Sequence, residues 1–96
     1  MNERTSDTVD IRRFSALSHP TRLLVFRRIM RAGPSGVTAG ALAEAASVSP
    51  SNLSAHLSIL TEAGLVSVRA DGRKRIFAPQ LHAVAAMVRF LVEDCC

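Results

Sequence analysis

The sequence predicts a mainly helical domain carrying one β-hairpin, and three observations predict it. Segments with helical spacing or helix-bounding residues cover 9–17, 20–31, 38–46, 49–63 and 81–93. After Gly64 the apolar period shortens from 3.6 to 2 over residues 65–69 and 73–78, on either side of Asp71-Gly72. The 96 residues suit one domain, with 48% hydrophobic residues, no Trp or Tyr and only 4% aromatics, so aliphatic packing must carry the fold.

Residues 1–8 are polar and are expected to be disordered, ahead of a short helix over Val9 to Leu17 with Ile11, Phe14 and Leu17 along one side. In "SHPTR", Pro20 suits the first helical position, where its missing N–H costs nothing, with Ser18 or His19 as the cap. That helix runs to about Arg31. It is expected to turn Leu23, Leu24, Phe26, Ile29 and Met30 inward and to leave Arg22, Arg27, Arg28 and Arg31 in solvent.

"AGPSG" at 32–36 reads as a loop. Thr38 then caps a short helix to Ala46 whose large apolar anchor is Leu42, and "SVSPS" marks a fresh start with Ser49 as cap and Pro50 at the first position. This next helix is stopped by Gly64. Two short helices joined by a tight turn are a helix-turn-helix, and helix, helix, helix, hairpin is the order of a winged helix. Pro79 closes the hairpin and introduces a last helix from Leu81 to about Glu93.

On that last helix Leu81, Val84, Ala85, Val88, Leu91 and Val92 share one broad side, and Ala83, Ala86, Met87 and Phe90 fall on the others. A terminal helix apolar nearly all round needs cover on two sides. The expected arrangement is a homodimer in which this helix packs on its twin and on residues 9–17.

Twelve Lys and Arg against eight Asp and Glu give a formal charge of +4, which suits a polyanionic partner. The charge is concentrated. Residues 22–75 hold eight basic side chains (Arg22, Arg27, Arg28, Arg31, Arg69, Arg73, Lys74, Arg75) and three acidic ones (Glu44, Glu62, Asp71), a local excess of +5. No apolar run reaches the roughly 18 residues of a membrane span, and the N-terminus lacks a signal-peptide core, so a cytoplasmic protein is expected. The two cysteines, Cys95 and Cys96, are adjacent and are no disulfide framework; in a reducing compartment they should be thiols. No catalytic carboxylate pair, phosphate-binding glycine loop or nucleophile with its base is recognisable, which argues against an enzyme.

The segment after Ser49 carries the function. At about 100° per residue, Leu53, Leu57 and Leu60 fall in one narrow stripe, while Ser51, Ser54, Ala55 and Ser58 lie on the far side. A solvated helix would be better served by long charged residues with higher helix propensity. A face of small hydroxyls instead lets a helix lie deep in the DNA major groove, where serine exchanges hydrogen bonds with base edges and phosphates. The first N–H groups, at Ser51 and Asn52, are also placed to hold a phosphate. The alternative, that Ser49, Ser51 and Asn52 only cap the helix, is weakened by the hairpin, where four cations, Arg69, Arg73, Lys74 and Arg75, stand against one acid. His56 borders the leucine stripe, and its commonest role there is a satisfied histidine joining two helices. His19 reads as a cap and His82 as a surface residue.

"LSHPTRLLVFRRI", "GALAEAASVSPSNLSAHLSILTEAGLVSVRADGRKRIF" and the apolar last helix resemble the ArsR family of small dimeric winged-helix repressors, over roughly residues 12–92. The resemblance implies a homodimer on a palindromic double-stranded DNA operator, with residues 49–63 in the major groove and the wing over the flanking backbone or minor groove. It makes Ser49, Ser51, Asn52, Ser54, Ala55, His56 and Ser58, with Arg73, Lys74 and Arg75, the DNA-facing candidates, and residues 9–96 the DNA-binding and dimerisation domain. Arsenic sensors of the family often carry a Cys-x-Cys pair in the third helix, and "TAGALAEAA" has none. Zinc sensors place Asp, His and Glu on the last helix, and the matching set is missing. What remains, "EDCC", is similar to a subset of arsenite-responsive members with a vicinal pair at this place, so Cys95 and Cys96 are the expected metalloid ligands, which can both reach one soft ion. Trivalent arsenic prefers three thiolates; the third ligand would come from chain beyond the pair, from solvent or from a partner. Arsenite is the expected inducer and no resident cofactor is required. Redox or reactive-sulfur sensing, another soft metal, or a winged helix that binds protein are the alternatives.

Overall fold

The computed structural model describes residues 5–95. Five helices and three strands follow one another as α1 (Thr5–Leu17), α2 (Pro20–Ala32), β1 (Val37–Thr38), α3 (Ala39–Ala46), α4 (Pro50–Glu62), β2 (Val66–Asp71), β3 (Lys74–Pro79) and α5 (Leu81–Val92), with a single 3-10 turn at Gly33–Ser35. The strands form one antiparallel sheet in the order β1-β3-β2. This is the mainly helical winged helix-turn-helix that the sequence predicts.

The helix starts are set by local chemistry. His19 caps α2 through Nδ1, which accepts the Thr21 N–H at 3.1 Å, and Pro20 follows it. Thr38 Oγ1 accepts from Ala41 N–H at 3.2 Å, and Ser49 Oγ from Asn52 N–H at 3.2 Å. Each cap satisfies a donor that the first helical turn leaves unpaired.

Helix α2 is the hub of the core. Its Val25, Phe26 and Ile29 are buried together with Leu42 of α3, Leu53, Leu57 and Leu60 of α4, Leu65, Val66, Phe77 and Met87. Leu23 and Leu24 are not part of it: they are 43% and 40% exposed, against the expectation that both turn inward. The buried arc of α2 is narrower than its apolar content suggests, because α3, α4 and the sheet all meet it from one side. Arg22 is likewise not a solvent cation, since its Nε donates to the Ala16 carbonyl at 2.7 Å and ties the end of α1 to α2.

Helix α1 begins at Thr5, inside the segment expected to be disordered; residues 1–4 lie outside the described part. A helix nucleated by packing extends at little further cost, which accounts for the extra turn ahead of Val9. On it Phe14 and Leu17 pack against the core while Ile11 is 56% exposed, so the three do not share one buried side. Phe14 meets Phe90 of α5 with ring centroids 6.2 Å apart.

Strand β1 is absent from the sequence reading, since two residues show no alternation. Val37 pairs with Phe77 and Thr38 with Ile76. The hairpin turn also sits one residue later than expected: Asp71 pairs with Lys74, which leaves Gly72 and Arg73 as the two turn residues, with Gly72 at φ +63°. Positive φ at the first turn position alone is the arrangement that glycine permits in a two-residue hairpin.

Gly36 brings the chain onto β3. It has φ +81°, and a Cβ there would stand 2.5 Å from Ile76 Cγ2 and 2.9 Å from the Phe77 carbonyl oxygen, whereas one at Gly33 (φ +70°) would meet nothing. Gly36→Ala should therefore destabilise the domain by about 2 kcal/mol or more, and Gly33→Ala by about 1, the cost of the left-handed backbone alone. Urea denaturation of both variants measures the difference, and equal losses would mean that β1 is not held against β3.

Candidate nucleic-acid interface

Helix α3, the turn at Ser47–Ser49 and helix α4 form the helix-turn-helix. Ser47 adopts the left-handed conformation (φ 55°, ψ 44°), and its N–H reaches the carbonyls of Ala43 and Glu44. The Val48 N–H also returns to Ala43 at 3.2 Å, so the turn is fixed by backbone hydrogen bonds at both residues. Non-glycine residues rarely accept this conformation, and nothing in "ASVSPS" announced it.

Leu53, Leu57 and Leu60 are almost wholly buried, as the narrow stripe required. Opposite them Ser51, Asn52, Ala55 and Ser58 are exposed along with the cap Ser49, and Ser54 is half-buried. The Ser49 and Ser51 hydroxyls lie 3.3 Å apart, and Ser49 Oγ is at the same time the cap of α4. The face is continuous and carries no charge.

Arg73, Lys74 and Arg75 are all exposed. They join Thr38, Ala39 and Gly40 around a cleft of about 300 Å³ at the start of α3. The positive end of that helix therefore adds to the three side-chain charges. Arg75 is the best placed of them: its guanidinium carbon lies 5.2 Å from the centre of the buried Phe77 ring, a cation–π distance. It also lines a cavity of about 190 Å³ with Ser54, Leu53, Leu57 and Pro50 of α4 and Ala39, Gly40 and Ala43 of α3. Hairpin and reading helix thus share one wall. Arg69, counted with the wing from sequence, donates from Nη2 to the Ser35 carbonyl at 2.8 Å and braces the loop before β1 instead.

His56 stands apart from the other candidates. Its ring is half-buried, 4.7 Å from that of His19 on α2, and its Nδ1 is buried with no hydrogen-bond partner. Burial, then the charges of His19 and Arg22, hold its pKa below the ordinary imidazole value. The sequence placed His56 beside the leucines but could not show that the α2 cap would lie against it.

The pair at the C-terminus is only half visible. Cys95 is exposed, and Cys96 lies outside the described residues. Among the described residues no three His, Cys, Asp or Glu side chains gather as a metal site, and no helix is long and apolar enough to cross a membrane.

The helix-turn-helix domain family matches residues 17–69, more than half of the chain. A solved structure described as a possible transcriptional regulator for arsenical resistance is 34% identical, with a TM-score of 0.71 over 83% of this chain and 79% of that one. The chain belongs to the ArsR family of winged helix-turn-helix regulators. An ArsR-like transcriptional regulator from a Rhodococcus species has the same fold, with a TM-score of 0.81 at 24% identity over 94% of this chain and 82% of that one. A probable mercury resistance operon repressor of Streptomyces lividans is 34% identical over 84 residues, 84% of this chain; the chain spans 65% of that protein's length. The family is one of transcription regulators with a DNA-binding fold and not an enzyme family.

The His56 environment predicts how this ArsR-family domain responds to acid. A histidine whose pKa is lowered by folding binds its proton more readily in the unfolded chain. Its contribution to stability is therefore whole at neutral pH and is lost as pH falls below about 6.5, the unfolded value. His56→Gln should flatten the fall in urea midpoint between pH 7 and pH 5. An unchanged acid limb would show that the buried imidazole is not the group responsible.

Proposed function

We propose that the protein is a dimeric transcriptional repressor that holds a palindromic operator through α4 and the hairpin and lets go when a thiophilic metalloid, arsenite, binds at Cys95 and Cys96. The observation that carries the DNA half is the shared surface of α4 and the wing. Ser54 and Arg75 line one cavity, so a duplex seated on the small face of α4 meets the wing cations without any rearrangement. The serines and Asn52 then address base edges, and Arg73, Lys74 and Arg75 address phosphate.

The dimer reading is supported by α5, where Leu81, Val88, Leu91 and Val92 are 48–65% exposed in a single row. Exposed apolar side chains in such a row are better covered than solvated. A twin packed there sets two reading helices side by side for half-sites roughly 34 Å apart. The ligand reading is supported by the names of the relatives, which concern arsenical and mercury resistance, and by the thiol chemistry of the pair. Cys95 stands just beyond the end of α5, the helix that the twin would cover, so a ligand there is placed to favour one dimer geometry over another, as coupling between two sites requires.

A second reading, in which oxidation of the pair is itself the signal, follows from the same thiol chemistry. One titration separates the two. After reduction, a mobility-shift assay on the duplex upstream of the gene should show binding that arsenite weakens at least about tenfold, a coupling of about 1.4 kcal/mol, and that Cys95→Ser makes insensitive. If peroxide releases the DNA and arsenite does not, the pair is a redox sensor. Arg73→Ala with Arg75→Ala should weaken binding to any duplex and flatten the salt dependence, whereas Ser54→Ala should act on the cognate site. Salt-independent binding would sink the DNA reading.

A further inference from the structure

The outer face of α2 belongs neither to the core nor to the surface shared by α4 and the wing. At about 100° per residue, Pro20, Leu23, Leu24, Arg27, Arg28 and Arg31 fall within an arc of roughly 140°. All six are exposed, around one open cleft of about 420 Å³. The opposite side of the same helix, with Val25, Phe26 and Ile29, is buried, so the outer face is held in a fixed orientation. The elements that pack on α2, namely α1, α3, α4, β3 and the 3-10 turn, leave it open.

Its composition is unlike that of a helix face left to water. A solvated helix gains from acid–base pairs at i, i+4, and α2 contains no acidic residue. Arg27 and Arg31 stand at i, i+4 and Arg28 and Arg31 at i, i+3, so the three guanidinium groups repel one another. Among the described residues none of these three side chains has an ion-pair or hydrogen-bond partner. The helix dipole accounts for a cation in the last turn, Arg31, but for neither of the other two nor for the leucines. Exposed apolar side chains rimmed by polar residues mark a contact surface, and here the rim has one sign. Carboxylates on a partner relieve the repulsion, and apolar side chains beside them cover Leu23 and Leu24. Phosphate would meet the cations and leave the leucines wet, and a membrane-seated helix needs a wider apolar side than two leucines.

We propose that the outer face of α2 is a docking site for an acidic amphipathic helix of a protein partner, its apolar side chains laid against Leu23 and Leu24 and its carboxylates against Arg27, Arg28 and Arg31. The face extends roughly 16 Å along the helix axis, so the contact belongs to the small, transient class, with charge complementarity setting its specificity. It is separate from the exposed row of α5 and from the DNA surface, and it does not rest on the operator reading.

The test follows amide chemical shifts of the labelled protein as a capped, alanine-based helical peptide is added, one that presents two leucines and, a turn further on, three glutamates. Counterparts with lysines in place of the glutamates, or glutamines in place of the leucines, are the controls. The glutamate peptide should give saturable shifts concentrated at residues 20–31, and the lysine peptide should bind about tenfold or more weakly, the loss of three exposed ion pairs. The glutamine control should also bind more weakly. Arg27→Glu combined with Arg31→Glu should invert the preference, so that the lysine peptide binds and the glutamate peptide does not, while thermal unfolding confirms a folded domain. If the glutamate and lysine peptides bind alike, if neither binds, or if the shifts fall instead on residues 49–58 and 73–75, the assignment fails. It fails equally if duplex DNA or phosphatidylglycerol vesicles move residues 20–31 more strongly than the glutamate peptide does, since the face would then be a phosphate surface. No operator is needed for the peptide titration, so its failure is distinct from failure of the operator reading.

Discussion

Three leucines hold the functional surface in place. Leu53, Leu57 and Leu60 occupy one narrow stripe of α4 and are buried to within a few per cent, so the helix has one way to sit on α2 and α3. Each such side chain is worth about 1.5–3 kcal/mol on burial, and a rotation of α4 would expose all three together. The orientation of the opposite face, with Ser51, Asn52, Ala55 and Ser58, follows from that seat. A broad apolar face would have tolerated several rotations; a narrow one does not.

The remaining contacts brace that arrangement. Ser49 starts α4 and Thr38 starts α3, each by accepting one backbone N–H. Strand β1, only two residues long, anchors the start of α3 to β3, and Arg69 adds a second tie from β2 to the Ser35 carbonyl. The wing therefore approaches α3 and α4 at a fixed angle. Arg75, lying over Phe77, is restrained further than Arg73 and Lys74, which project from the turn. A cation restrained before it meets phosphate loses less side-chain entropy on binding, which favours Arg75 as the stronger contact.

Much of this was legible in the sequence because the signals are local. Caps at Thr38 and Ser49, Pro20 and Pro50 at first helical positions, Gly72 in the turn and the leucine spacing each act within a few residues. Most of the misreadings are of the other kind. Leu23 and Leu24 look like core by composition, but whether they are buried depends on which side of α2 its neighbours occupy. Arg22 reads as a solvent cation and Arg69 as part of the basic wing, but each finds a carbonyl on another segment. The pairing of Val37 and Thr38 with Ile76 and Phe77 spans almost forty positions and leaves no periodic trace at that length. The burial of Asp10 left no trace in the sequence, where it is one polar residue of the first helix, because it depends on α5 lying beside α1. Of the candidate site, the small face and the wing were readable, and the placement of His56 against His19 was not.

The central claim is that the outward face of α4 and the wing together meet duplex DNA. Amide chemical shifts of isotopically labelled protein, followed as a duplex containing the cognate upstream sequence is added, test it most directly. The account predicts changes concentrated at residues 49–58 and 73–75, with the outer face of α2 around Leu23 and Leu24 left quiet, and reversal of the changes as salt is raised. Shifts centred on α2, or none in α4, would contradict it.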